Sequence, residues 1–163
     1  MKIAVVYYSM SGNCALIADR LAAGLGADTL RIEPVKAYPD RGASKFLTGG
    51  ASALKKDTPE LKPYTFDAAG YDLVVLGMPV WASRVTPPLR TFVEENAEAL
   101  RGKRIAAFAC SSGGGAAKPL ARLAELLGVE RFAAEASFVD PKVRPSAEND
   151  ARLEEFIKAL RAL

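Results

Sequence analysis

The 163-residue sequence contains no histidine, and this absence limits the chemistry that the protein can perform. Hydrolysis by a serine or cysteine nucleophile with a histidine base is excluded, as is every other mechanism that needs an imidazole. The only cysteines are Cys14 and Cys110, which are too few for a disulfide framework. Without histidine, neither cysteine belongs to a zinc motif.

Long hydrophobic runs are also missing. No segment approaches the roughly 20 apolar residues of a membrane-spanning helix, so contact with a membrane is not expected. The first residues, MKIAVVYYS, are explained better by a core strand than by a signal peptide, because they lack the small-residue cleavage pattern. We therefore expect a cytoplasmic protein. Nucleic acid is not an expected partner, since aromatic residues are not interleaved with basic ones.

Apolar and amphipathic segments alternate along the chain. Five apolar segments predict strands, at residues 3–8, 28–33, 71–78, 103–110 and 132–139. The first, third and fourth are apolar on both faces, as in a parallel sheet that helices cover on both sides. Apolar residues at helical spacing predict four helices, near residues 17–25, 89–100, 120–127 and 153–160. This order predicts an α/β fold with a doubly wound parallel sheet, in a single domain over residues 1–163.

Residues 34–66 separate the second and third predicted strands, and we call this segment the basic flap. A crossover between parallel strands needs about a dozen residues or more, and a loop of this length without secondary structure is unusual. We therefore expect a glycine-interrupted helix from about Ala43 to Leu54. The flap carries six Lys or Arg against three Asp or Glu, which equals the net charge of +3 of the whole chain. We expect it to lie over one edge of the sheet.

The first loop, SMSGNC (residues 9–14), joins the first strand to the first helix. In an open α/β sheet, ligands bind beyond the carboxyl ends of the strands. Here Ser9, Ser11, Gly12 and the free N–H groups of the helix start can hold a phosphate. Alternatively, Ser11 or Asn13 only caps the helix. The loop lacks the Gly-x-Gly-x-x-Gly of dinucleotide binders and the Gly-Lys-Ser/Thr of P-loops, which disfavours NAD at this loop and nucleotide hydrolysis.

Two further loops leave strands at the same edge of the predicted sheet. The second loop, residues 77–92, contains Trp81, the only tryptophan, just before a helix that begins with prolines. Trp81 either packs into the hydrophobic core or offers a flat aromatic surface that stacks on a planar ring. The third loop, residues 110–119, contains three consecutive glycines, which form either a flexible linker or a backbone that approaches a ligand closely. Together the three loops suit a ligand with a phosphate and a planar ring.

Three segments of the chain resemble the flavodoxins, a family of FMN-binding proteins. The flavodoxin phosphate loop is similar to YYSMSGNC, the Gly-x-Pro-x-Trp segment of flavodoxin-like FMN proteins is similar to GMPVWASRVTPPLRTFVEE, and their third flavin loop is similar to CSSGGG. The resemblance covers essentially the whole chain in the same order. It implies a three-layer flavodoxin-like fold with a five-stranded parallel sheet in the order 2-1-3-4-5, and FMN bound without a covalent link.

The resemblance also implies roles for residues of the three loops. The first loop would hold the phosphate through Ser9, Met10, Ser11, Gly12, Asn13 and Cys14. The second loop would border the isoalloxazine ring, with the tryptophan against one face, through Pro79, Val80, Trp81 and Ala82. The third loop would line the pyrimidine side and the ribityl chain through Ser111, Ser112, Gly113, Gly114 and Gly115. The flavin would carry the chemistry, so no catalytic side chain and no metal are expected.

The chain departs from the flavodoxin pattern at Cys14, where threonine is usual. A thiol is a weaker hydrogen-bond donor than a hydroxyl and would lower the affinity for FMN. The thiol is either a small apolar side chain, which we favour, or a redox-active group with a pKa depressed by the helix N-terminus. One strand should separate Cys110 from the first strand, so we expect the two cysteines to be too far apart for a disulfide.

Charge is the second departure, because flavodoxins tend to be acidic around the flavin whereas this chain has a pI near 8.9. The excess positive charge is either a solvated surface or a means of attracting a partner. In the second case an acidic protein, or an anionic small molecule such as a nicotinamide cofactor or a quinone acid, would be steered by Lys45, Lys55, Lys56 and Arg84.

Three functions are consistent with the sequence. We favour an electron carrier that transfers electrons through FMN to a redox partner protein or a small-molecule acceptor that the sequence does not identify. The first alternative is an NAD(P)H-dependent quinone or flavin reductase, an enzyme class that usually forms dimers across the flavin edge. The second is a binding or regulatory domain that has lost its flavin. The oligomer expected is a monomer or a weak homodimer.

Overall fold

The computed structural model of the protein describes residues 1–39 and 44–163, with side chains described from residue 47 onward in the second range. Its centre is a sheet of five parallel strands in the order β2-β1-β3-β4-β5. The strands are β1 (Ile3–Tyr7), β2 (Asp28–Arg31), β3 (Leu73–Pro79), β4 (Arg104–Ser111) and β5 (Glu135–Val139). All five predicted strands and the predicted strand order are confirmed.

Helices connect the strands on both sides of the sheet. In the described part of the chain they are α1 (Asn13–Leu25), α2 (Ser44–Leu54), α3 (Pro87–Glu95), α4 (Ala97–Leu100), α5 (Ala117–Leu127) and α6 (Ala147–Arg161). A short 3-10 helix, Ala68–Gly70, precedes β3. The helix expected in the basic flap is confirmed by α2, although Ala43, its expected first residue, lies outside the described residues.

One helix expected near residues 89–100 is in fact two, α3 and α4, which is a correction to the sequence interpretation. Asn96 separates them. Its side-chain amide donates hydrogen bonds of 2.8 Å to the backbone carbonyl of Phe92 and to the hydroxyl of Tyr64. An asparagine side chain that bonds to nearby backbone competes with helix hydrogen bonds, so the helix breaks at this point.

The core lies in two layers, one on each face of the sheet. On one face, α1 and α6 cover Val5 and Val75 together with neighbouring strand residues. On the other face, α3 and α5 cover Val6 and Leu76, and residues of the basic flap complete the layer. Successive residues of β1 and β3 therefore point into opposite cores, which explains why both strands are apolar on both faces. The three-layer α/β fold is confirmed.

Backbone hydrogen bonds join the two ends of the basic flap to each other, and its middle packs into the core. The backbone N–H of Val35 donates to the carbonyl of Glu60, and the N–H of Lys62 donates to the carbonyl of Glu33, each at 2.8 Å. Between these ends, Ala53 of α2 is buried in the core layer on the α3 and α5 side. The flap is therefore part of the domain.

Gly77 of β3 makes room for an aromatic ring of the neighbouring strand. It is paired with Phe108 of β4, and a Cβ on Gly77 would overlap with the phenyl ring. Phe108 is fully buried and packs edge-on against Phe138 of β5, with 6.4 Å between the ring centroids. This packing fixes β3, β4 and β5 near their carboxyl ends. Among the described helices, none is long and apolar enough to cross a membrane.

Candidate functional site

The three loops singled out from the sequence meet at the carboxyl ends of β1, β3 and β4. They enclose a cavity of about 120 Å3. The first loop lines it with Ser9, Met10, Ser11, Asn13 and Cys14, the second with Pro79, Val80, Trp81 and Ala82, and the third with Ser111 and Ser112. The predicted site residues that do not line it are Gly12, Gly113, Gly114 and Gly115. Cys110 and Gly50 of α2 complete the wall.

The first loop leaves the start of α1 open to a ligand. Gly12 is the N-cap, in the left-handed conformation with φ of 91°, and no side chain caps the helix from that position. Ser9 is buried, and its hydroxyl accepts a hydrogen bond of 3.2 Å from the N–H of Ala15. Ser11 is exposed and Asn13 turns towards another loop, so the alternative that either of them caps the helix is wrong. Free N–H groups at a helix start attract anions.

A fourth loop, residues 140–146 after β5, closes over the first loop, and the sequence analysis missed it. The Asn13 amide donates a hydrogen bond of 3.2 Å to the carboxylate of Asp140, and its oxygen accepts one of 2.9 Å from the N–H of Lys142. Arg144 holds the same carboxylate with two nitrogens, at 3.0 and 2.7 Å. The only signal in the sequence was that this loop also follows a strand at the carboxyl edge.

Trp81 lines the cavity and is also packed into the protein. Only 8% of its surface is exposed, and it meets Tyr8 and Tyr38 edge-on, with centroid distances of 5.6 and 5.0 Å. A Cβ on Gly49 of α2 would lie 3.1 to 3.3 Å from three atoms of its indole ring. Trp81 is therefore packed into the core and also forms part of the cavity wall, and its stacking on a planar ring stays a prediction.

The turn after Trp81 is strained. Ala82 and Ser83 have φ angles of 49° and 55°, in the left-handed region that residues with a Cβ rarely adopt. The N–H of Arg84 closes the turn by donating to the carbonyl of Trp81 at 2.9 Å. Two positive φ angles in succession are typical of a type I′ turn, which usually contains glycine or asparagine. Strained backbone of this kind concentrates at functional sites.

The third loop turns back on itself after β4. Ser111 is buried, and its hydroxyl accepts a hydrogen bond of 2.9 Å from the N–H of Gly114. Gly114 and Gly115 have φ angles of 88° and 79°, which glycine adopts at little cost. No atom lies within 4 Å of a Cβ built at Gly113, Gly114 or Gly115, so the glycines face open space next to the cavity.

The two cysteines are neighbours, which corrects the expectation that they are far apart. Both are free and buried, in the same core layer, and both line the cavity. The expected separation counted only the spacing between strands, whereas Cys14 lies on the first turn of α1, which crosses over the sheet towards β4. Burial raises the pKa of the Cys110 thiol well above its usual value, and the adjacent Cys14 raises it further. A neutral thiol is a poor nucleophile.

Few of the basic side chains proposed to steer a partner lie near the cavity. Lys55 and Lys56 are exposed on the flap, and neither of them nor Arg84 lines the cavity, while the side chain of Lys45 lies outside the described residues. A different pair, Arg31 and Lys62, lines an adjacent groove of about 320 Å3 that shares Ser9 and Met10 with the cavity. Both cations pair with Glu33, at 3.3 and 2.9 Å, and the hydrogen bond from Lys62 lowers the pKa of that carboxyl.

Depressions larger than this cavity occur elsewhere on the described surface. The groove between α5, β5 and α6 has a volume of about 590 Å3 and is lined by Glu135, Arg152 and Glu155 among others. It is an open depression on the side of the sheet. The small cavity at the strand ends is the better candidate, because it combines free helix N–H groups, hydroxyls, a tryptophan and a strained turn at one place.

Comparison with known proteins finds flavodoxins and other flavoproteins of the same fold. A family model described as flavodoxin matches residues 2–132. A Lactobacillus acidophilus flavoprotein in complex with FMN has 17% identity and a TM-score of 0.74, covering 95% of this chain and 97% of that one. A Bacteroides eggerthii protein designated a flavoprotein has 24% identity and a TM-score of 0.73, covering 95% of this chain and 97% of that one. Two-electron reduced Megasphaera elsdenii flavodoxin has 15% identity and a TM-score of 0.60, covering 99% of each chain.

Proposed function

We propose, from the premise that this chain belongs to the flavodoxin family, that it binds FMN without a covalent link and transfers electrons through it. The observation that carries the proposal is the meeting of three strand-end loops around one cavity. Each of these loops resembles a flavin-binding segment in the sequence, and the fold brings all three to one edge of the sheet. A flavin-binding role explains why they converge.

The first loop fits the phosphate of FMN. At the start of α1 the Ser9 hydroxyl takes the N–H of Ala15, while the N–H groups of Asn13 and Cys14 have no partner in the described part of the chain, and the left-handed Gly12 lets the backbone approach an anion closely. Ser11 is exposed beside them and its hydroxyl can donate. Cys14 contributes little, because its buried side chain is a weak donor.

The ring of FMN requires a wider opening than the described conformation provides. The cavity of about 120 Å3 is smaller than the roughly 300 Å3 at which small-molecule sites begin. Trp81 and the third loop both form parts of its wall, so we expect widening to move one or both of them. The exposed glycines Gly113, Gly114 and Gly115 face open space and can accommodate such a movement. We infer that FMN binding includes this rearrangement.

The bound FMN supplies the electron-transfer chemistry. The chain's own contribution is to bind and orient it. Ala82, the first residue of the strained turn, lies at the cavity wall, where its peptide groups can donate to or accept from the polar edge of a ring. The buried Tyr8 and Trp81, with the partly buried Tyr38, exclude water from one side. No acid or base on the protein is required, which suits a chain without histidine.

The proposal is tested by loading the purified protein with FMN and reducing it stepwise in the absence of oxygen. Visible flavin absorbance should appear with the protein, and a low-potential chemical reductant should bleach it reversibly. Added NADPH alone should leave it oxidised if the protein is a carrier. Failure of the protein to retain FMN on a desalting column at micromolar concentration would overturn the proposal and favour a domain without flavin.

The reductase remains the second candidate because of the groove beside the cavity. Its volume of about 320 Å3 is within the range of small-molecule sites, and it shares Ser9 and Met10 with the cavity. Arg31 and Lys62 would attract an anionic substrate, although Glu33 offsets part of their charge. Oxidation of NADPH by the FMN-loaded protein, with a quinone as acceptor, would establish this function instead.

A further inference from the structure

The side chain of Lys142 lies directly on Gly12 of the first loop. A Cβ built on Gly12 would be 2.7 Å from Nζ of the lysine and 2.9 Å from its Cδ. The lysine side chain therefore lies across Gly12, and it fits there only because glycine has no side chain. Its ammonium group is held beside the start of α1, although the two residues are 130 positions apart in sequence.

The backbone of the fourth loop is anchored so that Lys142 stays at this place. Its N–H donates to the side-chain oxygen of Asn13 at 2.9 Å, and the Asn13 amide donates to Asp140 at 3.2 Å. Asn13 and Asp140 are both buried, with 8% of the surface of each exposed. The hydrogen bonds join the fourth loop to the first turn of α1, so buried polar contacts fix the backbone of Lys142, while its side chain is exposed.

The charge of Lys142 has no counter-ion in the described part of the chain. No carboxylate lies within 4 Å of its ammonium there, and the nearest acidic residue in sequence, Asp140, is bound by Arg144 and Asn13. The start of a helix carries a partial positive charge of its own. An anion bound at that end would therefore be attracted by the helix start and by the exposed ammonium of Lys142 together.

We propose that Lys142 is a ligand of the FMN phosphate, supplying a positive charge to the site that the first loop provides through neutral donors; this rests on the proposed FMN binding. Nζ of Lys142 lies beside Gly12 at the start of α1, so a dianionic phosphate bound by the N–H groups of that turn would be within reach of the ammonium. Lys142 therefore makes the protein select FMN over riboflavin, which has the same ring without the phosphate.

The test compares FMN and riboflavin binding to Lys142→Met and to the wild type. Methionine keeps much of the length and apolar character of the lysine stem while removing the charge. The matched control is Lys158→Met, at an exposed position on α6 away from the four loops. Dissociation constants are measured by quenching of flavin fluorescence on flavin-free protein at low and high salt. Thermal melting without flavin verifies that both variants are folded.

We expect Lys142→Met to weaken FMN binding about tenfold, as the loss of one charge-assisted contact predicts, and to leave riboflavin binding unchanged. The salt dependence of FMN affinity should also diminish in this variant and not in Lys158→Met. Equal affinity of Lys142→Met and wild type for FMN, or equal weakening for both flavins, would overturn the role of Lys142. If the wild type binds neither flavin, the proposed function itself fails, which is a distinct result.

Discussion

Asn13 and Asp140 are joined by a hydrogen bond of 3.2 Å between side chains that are 127 residues apart and both buried. The bond links the first turn of α1 to the loop after β5. It makes the loop after β5 a part of the site that three other strand-end loops form. The same asparagine also accepts from the backbone of Lys142, so one side chain sets the position of the fourth loop.

Replacing Asn13 with alanine should weaken both the fold and FMN binding. The change leaves the N–H of Lys142 and one oxygen of Asp140 without their partner, which should lower the free energy of unfolding by about 1 to 3 kcal/mol. The fourth loop would then lose its anchor at α1, and FMN affinity should fall. Urea denaturation and FMN titration measure the two effects.

Asn149→Ala provides the control for this change. Asn149 is also buried, and its side chain makes hydrogen bonds of 3.1 and 2.8 Å with the backbone of Val139. Its replacement should cost similar stability while FMN affinity stays near that of the wild type. If both variants lose affinity to the same extent, the effect is a general loss of stability and the special role of Asn13 is wrong.

Gly77→Ala should destabilise the sheet strongly, because the added methyl group overlaps with the ring of Phe108. Overpacking of a rigid core costs about 1 to 3 kcal/mol or more. The double variant Gly77→Ala with Phe108→Leu should recover part of the loss. Gly70→Ala, where nothing lies within 4 Å of the added Cβ, should change the unfolding free energy by less than about 0.5 kcal/mol. Equal effects of Gly77→Ala and Gly70→Ala in urea denaturation would contradict this packing.

Gly49→Ala should alter the fluorescence of Trp81, the only tryptophan of the chain. The new Cβ would approach the indole ring to 3.1 Å, so the ring or α2 must shift. In the neighbouring variant, Gly50→Ala, the nearest atom is the Cβ of Ala82 at 3.9 Å. This variant should leave the emission maximum unchanged and gain up to about 1 kcal/mol of stability from the better helix former. Identical emission spectra of the two variants would show that α2 does not pack on Trp81 as described.

Stability should fall as the pH rises above about 8.5, partly because of Cys110. Burial raises the pKa of this thiol, so it stays protonated in the folded state at a pH where an unfolded cysteine ionises. Its contribution to stability is complete below the unfolded pKa and is lost as the pH rises towards the folded pKa, by at most about 1.4 kcal/mol per pH unit. Burial also raises the pKa of Tyr64 to about 12, which extends the decline above pH 10 or so.

Urea denaturation of the wild type and of Cys110→Ala between pH 7 and 9.5 checks the cysteine contribution. The variant can be less stable at every pH because it has a smaller side chain. Its stability should nevertheless depend less steeply on pH than that of the wild type. Parallel curves for the two proteins would mean that Cys110 does not retain its proton in the folded state.

The elements and the three loops could be predicted because their signals are local. The apolar run of β3 and the prolines that start α3 indicate structure over a few residues. The contacts that define the site depend on distant parts of the chain instead. Asn96 breaks a helix partly through Tyr64, and Cys14 meets Cys110 because α1 crosses the sheet. Lys142 reaches Gly12 from a loop that sequence periodicity does not connect to it.

The most direct test of the account is a calorimetric titration of FMN into the flavin-free wild-type protein. We predict a single site per chain with a dissociation constant at or below about 1 μM, together with a change in the fluorescence of Trp81, since this residue forms the cavity wall. No heat of binding, with unchanged tryptophan emission and thermal stability at a large excess of FMN, would contradict the central claim that the strand-end loops form a flavin site.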